Sequence, residues 1–310
     1  MISSLFVKCL KFVNDLFLSS MSKFKFSGHE TFQCRHFWLK KGHDFVSMGG
    51  DFKSNQALID LGVGKNMITS IGYWLKAFKI TNEVGDITDF GKSIFKDDGF
   101  DPYLEDVGTQ YLIHFNLIRN TSFASIYKLA FEDFRRTRID AEFTEEHLFD
   151  FILKTLIREG ESVSEKSIRN DLKVFLKTYY SGSKRGSKSI EDDFASVLIG
   201  LGFIDQVEGV LVEGNPLYRI SFSKQNALDP LLFLYMIADH FEGQESISID
   251  QIQNEIADKL LCNREGTEEK INYLSSEGFL VYKQDAGRKE IQFKGSIDKL
   301  NILSKYYGRV

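Results

Sequence analysis

Five polar side chains between positions 65 and 76 recur at helical spacing and could bind nucleic acid. This first polar face consists of Lys65, Asn66, Thr69, Tyr73 and Lys76. An apolar stripe with steps of three and four residues lies opposite, formed by Ile68, Ile71, Leu75 and Phe78. In a major groove, lysines can contact phosphates, and hydroxyl or amide groups can contact base edges. The solvated surface of a packing module has the same pattern, so both interpretations stay open.

A second polar face has the same spacing further along the chain. It consists of Lys166, Arg169, Asn170, Lys173 and Lys177. The inward side of this predicted helix is formed by Ile168, Leu172, Phe175 and Tyr179. Ser164 stands where an N-cap residue would stand. On these two faces, the candidate base readers are Asn66, Thr69, Arg169 and Asn170.

The stretch SGSKRGSKS at Ser181–Ser189 follows the second polar face. Glycine and serine make such a segment mobile, and Lys184, Arg185 and Lys188 could contact phosphate. A flexible, solvated loop without any nucleic-acid contact would have the same composition. We call this stretch the basic loop and count its three cations among the candidate DNA-binding residues.

Catalytic and metal-binding patterns are weak. Four candidate metal ligands fall within fifteen residues, namely His29, Cys34, His36 and His43, but their spacing matches no common structural-zinc pattern. His29 and Glu30 could supply a base and a carboxylate, yet two adjacent residues are weak evidence for catalysis. A structured turn between Gly28 and Phe32 explains them equally well. We predict no catalytic residue, no metal site and no cofactor.

Composition narrows the class of protein. The chain has 310 residues, of which 43% are hydrophobic and 27% charged, as expected for a globular protein of two or three compact units. A net charge of −5 excludes a uniformly basic coat, so nucleic acid could be contacted only through local basic faces. Three widely spaced cysteines favour a reducing cytoplasm. The apolar residues of segment 1–20 are too interrupted by charge to span a membrane.

The order of predicted elements indicates an α+β fold, mainly α-helical with small β-hairpins. Residues 54–95 read as a short helix, a glycine-bearing turn, a longer helix and a hairpin, which is the order of a winged helix-turn-helix. Thr88 is placed to cap the helix that follows. The acidic connector 97–106 is interpreted as a solvated turn leading into a helix N-terminus.

We predict successive winged-helix-type units joined by helical segments. The predicted parts are a loosely attached or mis-started segment at 1–20, a winged-helix unit at 21–106, a helical bridge plus a second such unit with the basic loop at 107–228, and a third unit at 229–310. The third helix of the last unit carries Glu265, Glu268 and Glu269. Such acidity favours a protein-contact or dimerising module over insertion into a DNA groove.

Three stretches resemble the family known as domain of unknown function 4007. They are SGHETFQCRHFWLKKG from Ser27, LGVGKNMITSIGYWLKAFKI from Leu61 and DPYLED at Asp101–Asp106. The resemblance covers residues from Phe26 to about Phe293. Members of that family occur beside bacterial genes for DNA phosphorothioation and related phage defence. The resemblance implies a role linked to nucleic acid and supplies no catalytic residue.

Together these features predict a cytoplasmic, non-catalytic protein that binds duplex DNA within a phosphorothioation or anti-phage defence system. One alternative is a scaffold that tethers the sulfur-transfer or nuclease subunits of such a system. Another is a transcription regulator of the same gene cluster, which would bind tightly at one promoter. A homodimer through the third unit is also compatible with the sequence, and no membrane partner is expected.

Overall fold

The computed structural model describes residues 23–138, 141–182, 196–285, 287–295 and 297–308. The segment 1–20 and all three cations of the basic loop, Lys184, Arg185 and Lys188, lie outside these residues. The fold is α+β, with helices surrounding two antiparallel three-stranded sheets in the described part of the chain. No helix among the described residues is long and apolar enough to cross a lipid bilayer.

The N-terminal third contains four helices, α1 (Trp38–Ser47), α2 (Gln56–Leu61), α3 (Lys65–Ala77) and α4 (Asp89–Phe95). Gly62 ends α2 in a left-handed conformation that glycine adopts without strain. A small apolar cluster then holds the first three helices together, formed by Phe45, Ala57, Leu61 and Ile68. The Thr88 hydroxyl accepts the Gly91 N–H at 3.0 Å, so the predicted cap of α4 is confirmed.

The middle of the chain combines helices with the first sheet. Its helices are α5 (Val107–Arg119), α6 (Ser125–Lys128) continuing into a π-helical turn (Leu129–Phe134), α7 (Glu145–Arg158), α8 (Glu165–Tyr179) and a 3-10 turn (Ile199–Leu201). Its strands are β1 (Glu142–Phe143), β2 (Ile204–Val212) and β3 (Asn215–Ile220), in the order β1-β3-β2. The Ser164 hydroxyl accepts the Ser167 N–H at 3.2 Å, which confirms the predicted cap of α8.

The C-terminal part of the chain also combines helices with a three-stranded sheet. Its helices are α9 (Pro230–His240), α10 (Ile249–Ile252) with a π-helical turn (Gln253–Ala257), α11 (Arg264–Ser276) and α12 (Lys299–Tyr307). Its strands are β4 (Ser246–Ser248), β5 (Leu280–Asp285) and β6 (Arg288–Phe293), in the order β4-β6-β5. The acidic residues of α11 are paired within the fold, since Glu268 accepts from Lys289 at 2.9 Å and Glu269 from Lys224 at 2.6 Å.

One contiguous apolar core runs through the described residues from Cys34 to Tyr306. The helix α5 is almost completely buried within it. Its N-terminus is tied to α12, because Tyr306 donates to the Asp106 carboxylate at 2.6 Å and the Tyr307 and Thr109 hydroxyls are 2.7 Å apart. The predicted unit boundary at residue 106 therefore falls inside continuous packing, and the division into units stays a prediction.

The acidic connector has a structural role at its end. Asp101 is buried, with 6% of its surface exposed, and its carboxylate accepts the N–H groups of Glu105 and Asp106 at 2.9 and 3.1 Å. It also accepts the Thr109 hydroxyl at 2.5 Å. These bonds connect the two residues that precede α5 with Thr109 in its first turn. The expected helix N-terminus is present, but Asp101 is enclosed and not solvated.

His114 is a buried imidazole at the centre of α5. Its Nδ1 accepts from the Tyr179 hydroxyl at 2.7 Å, and its Nε2 donates to the Lys259 carbonyl at 2.8 Å. Burial lowers the pKa of His114 to about 4. In the unfolded chain the same group has a pKa of about 6.5. Between these values the unfolded chain binds the extra proton, so stability falls as the pH is lowered through this window.

We expect the free energy of unfolding to fall by about 2 kcal/mol between about pH 7.5 and about pH 5 on account of His114 alone. Denaturant titrations at the two pH values measure the loss. In His114→Gln, whose side chain does not titrate, the loss should be smaller by about that amount. An equal pH dependence in both proteins would contradict the assignment.

Candidate nucleic-acid interface

The structure places four members of the first polar face where ligands can reach them. Lys65, Asn66 and Thr69 are exposed on α3, and Lys76 is half-buried. The position of Tyr73 was predicted wrongly. Its side chain is only 9% exposed, packs beside Gly28 and donates to the Phe123 carbonyl at 3.3 Å. The apolar side of α3 is therefore wider than the stripe read from the sequence.

The N-terminus of α3 differs from most helix starts in this fold. Gly64 stands at the N-cap position and supplies no side-chain acceptor. Side-chain caps are present at α4, α5, α7, α8, α9, α10, α11 and α12. The first N–H groups of α3 thus remain available to an external anion, and the helix dipole favours negative charge there. Lys41 reaches the same turn and donates to the Leu61 carbonyl at 2.7 Å.

The predicted wing after α3 is a tight turn closed by one antiparallel bridge between Thr81 and Ile87. The Asn82 side chain fixes it by accepting the N–H groups of Gly85 and Asp86, both at 2.9 Å. The hairpin predicted within residues 54–95 is therefore reduced to a single bridge. Because Thr88 both ends the turn and caps α4, the turn is held close to the C-terminal end of α3.

The second polar face is less accessible than predicted. Lys166, Lys173 and Lys177 are exposed on α8, whereas Asn170 is half-buried. Arg169 donates two hydrogen bonds to the Glu146 carboxylate, at 2.7 and 3.2 Å. Its guanidinium also lies 3.9 Å from the centre of the Phe149 ring. A role for Arg169 as a base reader would require this pair to break.

Carboxylates crowd the N-terminal half of α8. Glu165 occupies its first turn, and Glu146 of α7 holds Arg169. Glu145 is close enough to Lys173 for the lysine to oppose the rise in the pKa of Glu145 that burial causes. The second polar face therefore has a mixed electrostatic environment, and its lysines are partly offset by neighbouring acids.

The sequence analysis did not predict the buried contact between His29 and Asp171 of α8. His29, 3% exposed, donates from Nε2 to Asp171 of α8 at 3.0 Å, and the same carboxylate accepts the Ser27 N–H. The Thr31 N–H donates to His29 Nδ1 at 3.1 Å, so Nδ1 is the acceptor of the ring and Nε2 is its donor toward Asp171. One feature of the sequence indicated such a contact: Asp171 is a carboxylate on the apolar side of α8, between Ile168 and Phe175.

The segment Ser27–Phe32, which we call the His29 loop, has a constrained backbone. Ser27, Glu30 and Thr31 have φ values of 68°, 47° and 66°, in the left-handed region. Such conformations persist where surrounding contacts determine them. Gly28 has a φ of 108°, and a Cβ there would lie 2.8 Å from the Tyr73 ring. The predicted structured turn is thus present, with Asp171 and not Glu30 as the partner of His29.

The His29 loop lies between α3 and α8. The His29 ring is stacked against Trp74 of α3, with ring centres 6.4 Å apart, while its Nε2 contacts Asp171 of α8. At 3.6 residues per turn, Lys65 lies on the opposite side of α3 from Trp74, and Lys173 on the opposite side of α8 from Asp171. Both polar faces therefore point away from the loop, and we treat them as separate surfaces.

The candidate metal ligands do not come together. His29 bonds Asp171, His43 lies 3.3 Å from Asp44, and the Cys34 thiol donates to the Arg35 carbonyl at 3.7 Å. Within the described ranges there is no group of three or more His, Cys, Asp or Glu side chains that could hold a metal ion. We therefore assign no metal-dependent step to these residues.

Comparison with known proteins identifies the family. The profile described as a protein of unknown function (DUF4007) matches residues 26–307. The chain belongs to the DUF4007 family. This confirms the family resemblance carried by the Gly28–Phe32 and Gly62–Asn66 motifs. Among curated proteins, none matches this DUF4007 chain.

Two crystal structures share the fold. One, described as magnesium ion-bound SspB, has a TM-score of 0.77 and 24% identity over 92% of this chain and 88% of that chain. Another SspB crystal structure has a TM-score of 0.76 and 23% identity with the same coverage. At these identities the likeness establishes the fold of this DUF4007 protein and does not transfer a ligand or an activity.

We expect Asp171→Ala to lower the free energy of unfolding by about 2–4 kcal/mol, because it leaves the buried His29 donor without an acceptor, removes the acceptor of the Ser27 N–H and leaves a cavity. Denaturant titration measures the change. The adjacent Asn170→Ala is the matched control and should cost less than about 1 kcal/mol, since Asn170 is half-buried. Similar losses in the two variants would show that the His29 contact contributes little.

Proposed function

We propose that this protein binds duplex DNA in the cytoplasm, as an accessory component of a bacterial DNA-phosphorothioation or phage-defence system. The helix-turn-helix formed by α2 and α3 would be the reading element. The observation that carries the proposal is the start of α3, where exposed Lys65, Asn66 and Thr69 accompany a helix N-terminus without a side-chain cap. The defence context comes from the family resemblance.

The start of α3 supports DNA contact better than α8 does. In helix-turn-helix proteins the N-terminal residues of the second helix contact base edges. The amide of Asn66 could bond an adenine edge in that position, while Lys65 and the first N–H groups could contact phosphates. Neither Lys65 nor Lys76 has an ion-pair partner among the described residues, whereas Arg169 is held by Glu146.

A scaffold role is the second candidate, and one surface favours it. A groove of about 650 Å³ runs between α1, α2 and Tyr103. Phe37, Met48 and Tyr103 stand at this groove with 55%, 87% and 53% of their surfaces exposed. Exposed apolar side chains around a groove are typical of protein-binding surfaces. A complex from native extract that survives nuclease treatment would support the scaffold.

We expect the purified protein to bind fluorescent duplex DNA with a log–log salt slope of about −0.9 for each phosphate contacted. Anisotropy titrations at several salt concentrations measure it. Lys65→Glu should weaken binding and reduce the slope by at least about 1, because it removes one cation from the contact. Asn66→Ala should weaken binding by about 1–3 kcal/mol only on the recognised sequence.

Lys166→Glu is the matched control, since Lys166 is an exposed lysine on the separate face of α8. If it weakens binding and Lys65→Glu does not, α3 is the wrong element. A duplex carrying phosphorothioate linkages, compared with an unmodified one, tests recognition of the modification. No binding by the wild-type protein at about 50 mM salt would reject DNA binding and leave the scaffold.

A further inference from the structure

A cavity of about 240 Å³ lies between the end of α3 and the wing turn. Its lining includes Lys76, Lys79, Thr81, Asn82, Asn120 and Phe123. Two lysines in one small cavity are unusual, because half-buried cations repel each other and lose hydration. The cavity is separate from the exposed start of α3, which lies at the other end of the same helix.

Lys79 is held in a backbone conformation that favours glycine. It has a φ of 57° and occupies the first position beyond the C-cap of α3. Its N–H donates to the Lys76 carbonyl at 3.0 Å, and the Ile80 N–H donates to the Leu75 carbonyl at 2.8 Å. This is the Schellman arrangement, in which glycine is the usual residue at the position of Lys79. A lysine at this strained position places a cation in the cavity.

Three donors of the cavity have no partner in the part of the chain that the structure describes. They are the ammonium groups of Lys76 and Lys79 and the hydroxyl of Thr81, a residue that is only 3% exposed. The Thr81 hydroxyl is accessible from the cavity that this residue lines, so a solute there can reach it. An oxyanion in the cavity would supply acceptors for all three donors.

Backbone carbonyl oxygens near the cavity would repel an anion, but several of them already accept hydrogen bonds from neighbouring side chains. The Asn120 amide donates to the carbonyls of Lys76 and Ala77 at 2.8 and 3.2 Å, so the C-terminal carbonyls of α3 are occupied. The Thr88 hydroxyl donates to the Lys79 carbonyl at 2.7 Å. Glu83 is the opposing charge at the cavity, but it is exposed and can extend into solvent.

The electrostatic surroundings of Lys79 also lack a dedicated counter-charge. Burial and the nearby Arg119 lower the pKa of Lys79, and Asp239 opposes this effect only in part. The Asp239 carboxylate is already shared by Arg119 at 2.8 Å and Lys299 at 3.1 Å. A bound anion would therefore stabilise the charged form of Lys79.

We propose that this cavity binds one phosphate group of the DNA backbone, with Lys76, Lys79 and Thr81 as the donors. This inference rests on the proposed DNA binding. At 1.5 Å rise per residue, Lys79 lies about 20 Å from Lys65, so the cavity anchors the duplex at the far end of α3. A phosphate held there would fix the angle at which the start of α3 meets the bases.

Thermal unfolding in phosphate, compared with chloride at equal ionic strength, tests the cavity directly. The wild-type protein should gain melting temperature in phosphate, and Lys79→Gly and Thr81→Val should lose that gain. Without phosphate, Lys79→Gly should melt at or above the wild-type temperature, since glycine suits the left-handed position. Lys154→Gln, at an exposed lysine on α7 outside every candidate surface, should keep the full gain.

An equal gain in every variant would overturn the inference, because phosphate then stabilises only through its general exclusion from protein surfaces. No gain in the wild-type protein would overturn it as well. Lys79→Gly also separates binding from folding, because this variant loses the ammonium group that would bind phosphate and is not expected to lose stability.

Salt-dependent DNA binding decides the source of the phosphate. Lys79→Gln should reduce the salt slope by about 1, and Glu83→Gln should tighten binding by removing the opposing charge. If Lys65→Glu weakens DNA binding and Lys79→Gln does not, the cavity assignment is wrong while the proposed function stands. If the phosphate gain is lost without any change in DNA affinity, the ligand is free phosphate and not the backbone. If the wild-type protein binds no DNA, the proposed function and the backbone assignment both fall.

Discussion

The buried hydrogen bond between His29 and Asp171 is the constraint on which the geometry of both polar faces depends. It joins positions 142 residues apart and orients the His29 loop against Trp74 of α3. Enclosing a carboxylate is unfavourable unless its acceptors are used, and here the His29 and Ser27 donors use them. The relative position of α3 and α8 is therefore fixed by polar contacts as well as by packing.

The two glycine-bearing motifs of the family resemblance have different physical roles. Gly28 is required by close approach, because its backbone lies against the Tyr73 ring at a positive φ. Gly64 has open space around it, with an extended backbone, and its role is to start α3 without covering the first N–H groups. The Gly28 motif therefore stabilises the packing against the buried side of α3. The Gly64 motif leaves the N-terminus of α3 accessible.

Local features were predictable from the sequence and long-range ones were not. The inward stripe of α3 and the caps at Thr88 and Ser164 depend on neighbouring residues, and the structure contains all of them. The burial of Tyr73 and the strand β4 depend on partners far along the chain. Single-sequence periodicity cannot assign such partners. For the candidate site, exposure of Lys65 and Asn66 was predicted, but the Glu146 partner of Arg169 was not.

The contact between α5 and α12 has a consequence for the way this protein is made. Tyr306 and Tyr307 reach groups 200 and 198 positions earlier in the sequence, at the very start of α5. The start of α5 can therefore gain these partners only after α12 has left the ribosome. Until then the Asp106 carboxylate and the Thr109 hydroxyl lack the tyrosines that they contact in the folded protein, and such long-range contacts form late. This part of the fold is completed by the emergence of α12 and not by the local formation of α5 alone.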